Sequence, residues 1–257
     1  TAMEGVETNP SVSPDGKWLA FSSNQYGNND VYIVPLKGGK ITQLTFHQAS
    51  DMVSSWNWDN KTINYTSNRY NFMTNYTISI NGGTPKRTFR HYFNRVHNVI
   101  QHPKTKDIYF NESEESSYAA NRKRYKGDHN PDIKSYNQKT KKYIQHTTYR
   151  GKDFATTIDA AGNIYFKSDR QNGEYNLYKL DNGIPKQLTN FSTSIMWPKV
   201  SANGEKIVFR KDYQLFVYDV AKKTSKKLNV NINNNSTLEK EESYEVKGTI
   251  TFFGISH

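Results

Sequence analysis

Ten basic residues lie between Lys86 and Lys126: Lys86, Arg87, Arg90, Arg95, Lys104, Lys106, Arg122, Lys123, Arg124 and Lys126. Only Asp107, Glu112, Glu114 and Glu115 oppose them, so this stretch carries +6 of the chain's net +11. Tyr92, Phe93, Tyr118, Tyr125 and Tyr149 interleave with the charge, and Arg150 and Lys152 extend it. Arginine forks grip carboxylates through two parallel hydrogen bonds, and aromatic faces take up apolar side chains. Non-covalent capture of a C-terminal carboxylate or an acidic peptide is the chemistry these residue types support. The expected rim comprises Arg90, Arg95, Tyr118, Arg122, Lys123, Arg124, Tyr125, Lys126, Tyr149 and Arg150. Two other readings use the same residues. Arg122-Lys123-Arg124 could be a solvated loop paired with Glu112, Glu114 and Glu115, or the charge could neutralise nucleic-acid phosphates beside stacking rings. No nucleic-acid module accompanies the charge, which disfavours the last reading.

Covalent and metal chemistry find no matching pattern. His91, His97 and His102 have loosely ligand-like spacing, yet they span a loop, a strand start and a hairpin, without HExxH or clustered carboxylates. No metal or cofactor is expected. Gly254-Ile255-Ser256-His257 resembles the opening of a GxSxG elbow but falls on an expected innermost strand, where it is structural. Asp15, Asp30, Asp59, Asp159 and Asp169 sit at turns and strand starts, where a carboxylate folds back on the backbone. With no cysteine among 257 residues, disulfide scaffolds and thiolate metal sites are excluded. A mean hydropathy of −0.89 goes with no apolar run near the roughly 18 residues a membrane helix needs. The chain opens Thr1-Ala2-Met3 with no charged leader and apolar stretch, so any secretory signal is expected to have been removed or never present. At 14% aromatic residues the composition is that of a folded protein, not a disordered one.

The elements that position these residues follow from a repeat. Trp18-Leu19-Ala20-Phe21-Ser22-Ser23, Asp30-Val31-Tyr32-Ile33 and Gln43-Leu44-Thr45 reappear as Ile63-Asn64-Tyr65-Thr66-Ser67 with Tyr76-Thr77-Ile78, and as Ile164-Tyr165-Phe166-Lys167-Ser168-Asp169 with Gln187-Leu188-Thr189. Asp-Gly, Asn-Gly and Gly-Gly pairs between the runs supply the positive φ of tight hairpins. Closing threonines at 45, 88, 147 and 189 are spaced by 43, 59 and 42 residues, which places an insertion in the third copy. Four short strands per 40 to 45 residues is the period of a β-propeller blade. The expected fold is all-β, a single propeller domain of four-stranded antiparallel blades at about 9–45, 50–88, 96–147, 153–189 and 195–228. Residues 245–257 are expected to begin a sixth blade, in a chain cut within its domain. Trp18, Trp56, Trp58 and Trp197 are expected to pack between blades. The longer loops, Asn24–Asn29, Phe46–Val53, Phe89–His97, Asn111–Asn130, Tyr149–Lys152 and Asn190–Ser194, share one end, where binding residues concentrate.

With Ser13-Pro14-Asp15-Gly16 ahead of the first copy and Gln43-Leu44-Thr45 closing it, the repeats resemble the propellers of TolB and the tricorn protease group. Arg122-Lys123-Arg124 before Pro131-Asp132-Ile133 is similar to the Arg-rich stretch preceding an Asp-Ile-Trp strand in tricorn-like peptidases, with Lys134 in place of the Trp. The resemblance implies the N-terminal, six-bladed propeller of a larger protein with a further propeller, a PDZ domain and a tail-specific serine peptidase. This chain would then be a non-catalytic domain that binds or gates peptides for that peptidase, exported in a bacterium. The alternative it implies is a TolB-like interaction propeller docking a periplasmic or lipoprotein partner. A propeller hydrolase or lyase acting on sugars would need acids or metal ligands converging on the central channel.

Overall fold

Runs of β-branched and aromatic residues broken by turn residues leave the backbone two options, pairing or exposure, and the strands among the described residues pair. The computed structural model describes residues 5–70, 72–89, 95–113 and 124–231. Met3–Asn229 is one compact unit. Thr1–Ala2 with Val230–His257 forms a second, and the sixth-blade strand expected at 245–257 lies outside the described residues.

Five four-stranded antiparallel sheets make up the larger unit, each a meander in chain order. Blade 1 holds β1 (Glu7–Val12), β2 (Trp18–Ser23), β3 (Asp30–Pro35) and β4 (Thr42–Gln43). Blade 2 holds β5 (Asp51–Trp56), β6 (Thr62–Ser67), β7 (Thr74–Ser79) and β8 (Lys86–Arg87). Blade 3 holds β9 (Val96–Gln101), β10 (Ile108–Glu112), β11 (Lys134–Tyr136) and β12 (Tyr143–Gln145). Blade 4 holds β13 (Asp153–Ile158), β14 (Ile164–Ser168), β15 (Asn176–Asp181) and β16 (Ile184–Gln187). Blade 5 holds β17 (Ile195–Val200), β18 (Lys206–Lys211), β19 (Gln214–Asp219) and β20 (Thr224–Lys227). First strands pack in succession, β1 on β5, β5 on β9, β9 on β13 and β13 on β17, so they line a common interior. That is a propeller, and no helix occurs among the described residues.

The threonine that closes blades 1 to 4, preceded by Gln-Leu or Gln-His in blades 1, 3 and 4, has a specific job in these three blades. In blade 1 the Thr45 hydroxyl donates to Asp30 Oδ1 at 2.9 Å and accepts from Val31 N at 2.9 Å, while Gln43 Nε2 donates to Asp30 Oδ2 at 3.1 Å. Thr147, Asp132, Ile133 and Gln145 repeat these bonds in blade 3. In blade 4, Asn176 takes the place of the aspartate, accepting from Thr189 at 3.0 Å. Asp30 therefore latches β3 to the outermost strand instead of folding back on its own turn, a correction to the sequence reading. Asp15 and Asp59 do fold back, onto the amides of Lys17 and of Lys61 and Thr62.

Apolar side chains fill the gaps between blades. Ala20, Val31 and Ile33 meet Val53, Trp56, Ile63 and Tyr65 between blades 1 and 2, and Phe154, Tyr165 and Leu177 meet Ile207, Phe209 and Tyr218 between blades 4 and 5. Directly opposed aromatics on second and third strands recur as Phe21–Tyr32, Tyr65–Tyr76, Phe166–Tyr178 and Phe209–Phe216. Blade 3 departs, because Lys134 stands opposite Phe110 and its ammonium reaches Glu112 at 3.0 Å. Glu112 is thus tied to Lys134, while Arg122, Lys123, Glu114 and Glu115 of the solvated-loop reading lie outside the described residues. Trp56 and Trp58 bridge blades through indole N–H bonds to Ser11 O and Gln101 O. Trp197 does not pack between blades: it is 57% exposed, with Arg210 lying 4.2 Å over its ring.

Every first strand is bulged at the same level, between Thr8 and Ser11, Val53 and Ser55, His97 and Ile100, Phe154 and Thr157, and Met196 and Lys199. Asn9, Asn98, Ala155 and Trp197 carry the left-handed φ values, from 49° to 57°. A bulge adds a residue to one strand and frees it from the ladder, so a level of irregular backbone encircles the interior.

Candidate functional site

The blade 3 insertion meets the β12–β13 connection at the long-loop end through hydrogen bonds to backbone carbonyls, and it touches the β14–β15 loop through Arg124. Gly127 N donates to Arg150 O at 3.1 Å, while Asn130 Nδ2 donates to both Tyr125 O and Arg150 O, at 2.7 and 2.6 Å. Arg124, with φ of 66°, lays its stem against Gly173, whose missing side chain would stand 3.4 Å from Arg124 Cγ. Tyr149 is the centre of the assembly. Lys126 Nζ donates to its hydroxyl and stands 4.3 Å from its ring centroid, and the Arg170 guanidinium lies 4.7 Å from the same ring. Two cations against one ring is a cation–π arrangement that keeps the ring in place, and Lys126 stays exposed to a further anion.

Beneath the rim, carboxylates hold the Arg170 guanidinium and the backbone of the 149–152 loop. The Asp153 side chain is fully buried and pairs with Arg170 Nη2, and burial pushes its pKa up to about 6. Asp132 accepts Tyr149 N at 3.2 Å besides its latch bonds, and burial raises it as well. Asp169 Oδ1 accepts Lys152 N at 2.9 Å. Gly151 is required at this junction, because a Cβ there would run into the Tyr149 ring and the Asp169 carboxylate. A cleft of about 270 Å³ opens below, lined by His146, Thr147, Tyr149, Arg170 and Pro185.

Of the expected rim, the structure brings together Arg124, Tyr125, Lys126, Tyr149 and Arg150. Arg95 stands apart: it bridges Met73 on the way into β9 and lies 5.5 Å over Phe72. Arg90, Tyr118, Arg122 and Lys123, with Tyr92 and Phe93, lie outside the described residues. Among the described residues neither Arg124 nor Arg150, both exposed, is paired with a carboxylate. Arg170 and Asp153 were missed by the sequence reading, although a signal existed. Ser67-Asn68-Arg69 and Ser168-Asp169-Arg170 end the second strands of blades 2 and 4, and Asp51 and Asp153 open the first strands. Each Arg pairs with its Asp.

Elsewhere, His97 is buried on β9 and burial lowers its pKa to about 4. His102 stacks on Tyr109 and packs beside Gly162. No cluster of three or more His, Asp or Glu suited to a metal occurs among the described residues. No described helix is long and apolar enough to cross a membrane.

Comparison with known proteins agrees with this architecture. Residues 1–224 match the family described as the tricorn protease N-terminal beta propeller domain. A tricorn protease homolog from Saccharolobus solfataricus is 27% identical over 253 residues, covering 90% of this chain and 22% of that protein. The chain thus spans about a fifth of the length of that relative. A TolB structure from Agrobacterium tumefaciens superposes with a TM-score of 0.70 at 18% identity, over 87% of this chain and 80% of that one. The propeller domain of the trilobed protease from Pyrococcus furiosus superposes with a TM-score of 0.54 at 15% identity, over 87% and 81%. At these identities the two structures speak to the fold alone.

Proposed function

The chain belongs to the family of tricorn protease N-terminal β-propeller domains, and from that premise we propose that it is a non-catalytic domain that binds or gates peptides for a tricorn-like serine peptidase. The observation that carries the reading is the Tyr149 assembly: a ring held between Lys126 and Arg170, flanked by Arg124 and Arg150. A peptide carboxylate would take two parallel hydrogen bonds from one of these guanidinium groups, and the side chain before it would lie on the ring or in the cleft. The peptidase and its other domains belong to the parent protein, and they are the partners this reading requires.

Replacing Arg122, Arg124 and Arg150 together by Ala tests the assignment. Binding of peptides with free C-termini should weaken at least tenfold, about 1.4 kcal/mol, with the melting temperature unchanged because Arg124 and Arg150 are exposed cations without carboxylate partners among the described residues. Undiminished binding would remove the rim from the function.

A second reading, in which the same end docks a folded periplasmic or lipoprotein partner, rests on the resemblance of the repeats, with Ser13-Pro14-Asp15-Gly16 and Gln43-Leu44-Thr45, to those of TolB. Export belongs to this reading, and fractionation of the source cells would test it. Under this reading short peptides bind no better as acids than as amides.

A further inference from the structure

We propose that the central channel contains a second carboxylate-binding position, separate from the rim, in which Lys199 receives the terminal or side-chain carboxylate of an extended peptide. Its ligand class rests on the peptide reading above, whereas its location does not.

Lys199 follows the β17 bulge, and its Nζ stands 3.5 Å from the Ser54 carbonyl at the β5 bulge. Strand β17 packs on β13, while β5 packs between β1 and β9. The side chain therefore crosses the space that the first strands enclose, joining blades 2 and 5. A contact of 3.5 Å is at the outer limit of a hydrogen bond and holds the ammonium weakly. No carboxylate among the described residues pairs with it. The residue retains exposed surface, yet the surrounding protein strips enough water from the ammonium to lower its pKa. That is the condition of a group inside a narrow wet bore, and a partly dehydrated cation with one long neutral contact gains more from an anion than a surface lysine does.

A further observation points the same way. Lys167 on β14 is 1% exposed and meets the rings of Phe154 at 4.1 Å and Tyr175 at 4.8 Å, with no carboxylate; Arg210 on β18 lies on Trp197 and is likewise unpaired among the described residues. Blade 5 thus holds one permanently charged side chain, Arg210, without a carboxylate partner among the described residues, and Lys167 of blade 4 adds its charge below about pH 7. A single ammonium suits a monoanionic carboxylate better than a phosphate dianion.

The test reads Lys199 itself. In protein carrying carbon-13 lysine, its ε signal is identified by its loss in Lys199→Arg, and is titrated with pH alone and with trialanine, trialanine amide or inorganic phosphate. Trialanine should raise the titration midpoint by about one pH unit, as an opposite charge within contact distance does. The amide should leave it in place, and the Arg124→Ala, Arg150→Ala protein should show the same rise. No rise with trialanine, or an equal rise with phosphate, would overturn the proposal. A rise that disappears with the rim arginines would overturn it as a separate position.

Discussion

Lys167 is the residue whose chemistry is least like its surroundings. Its ammonium lies between Phe154, Tyr175 and Met196, and burial lowers its pKa from 10.5 to about 7. Between those two values the unfolded chain binds a proton that the folded protein does not, so stability rises with pH from 7 to 10.5. Below pH 7 the penalty is fully present. Asp153, raised to about 6, and His97, lowered to about 4, titrate outside this window. Lys167→Met keeps the volume and removes the charge. It should gain about 1–4 kcal/mol at pH 7 and flatten the rise between pH 7 and 9.5, as measured by urea unfolding at each pH. An equal slope in both proteins would mean that Lys167 is not dehydrated. The sequence could not reveal this, because Lys167 stands in an ordinary strand pattern, and Phe154 and Tyr175 of its own blade come together over it with Met196 of blade 5 only in the fold.

At the scale of the strand, the recurring closing threonine was visible in the sequence as a spacing but not as a device. Its hydroxyl joins the third strand's aspartate or asparagine to that strand's next amide, a bond that links positions 15 residues apart in blade 1. Thr45→Val leaves the amide and carboxylate short of a partner and should cost about 1–3 kcal/mol. Asp30→Asn should cost less than about 1 kcal/mol, because Asn176 fills the same role in blade 4. Thermal unfolding of the two variants separates the cases, and similar losses would contradict the latch. Strand positions and hairpin ends were legible because the hydrophobic runs and glycine pairs are local. The Asp–Arg pairs beneath the rim join residues at opposite ends of a hairpin and became visible only with the register.

At the scale of the whole molecule, the first and last described blades carry exposed apolar side chains. Val208 and Leu215 of blade 5 are 41% and 46% exposed, and Val12 of β1 is 49% exposed. Apolar surface of this kind on the first and last blades is what another blade would cover. A chain extended beyond His257 through a complete sixth blade should melt about 4 °C or more higher, since each kilocalorie per mole is worth a few degrees at this size. No gain would mean that five blades are self-sufficient. The rim, in contrast, was legible as charge and aromatic content but not as geometry. Arg95 looked equivalent to Arg124 in the sequence, yet the fold sets it on Phe72, away from Tyr149.

The central claim is that this propeller recognises a peptide through its carboxylate. Titration calorimetry of one short peptide, presented as the free acid and as the C-terminal amide, tests it most directly. The account predicts that the acid binds at least tenfold more tightly, and that the difference shrinks as salt screens the exposed cations. Equal binding of acid and amide would contradict it.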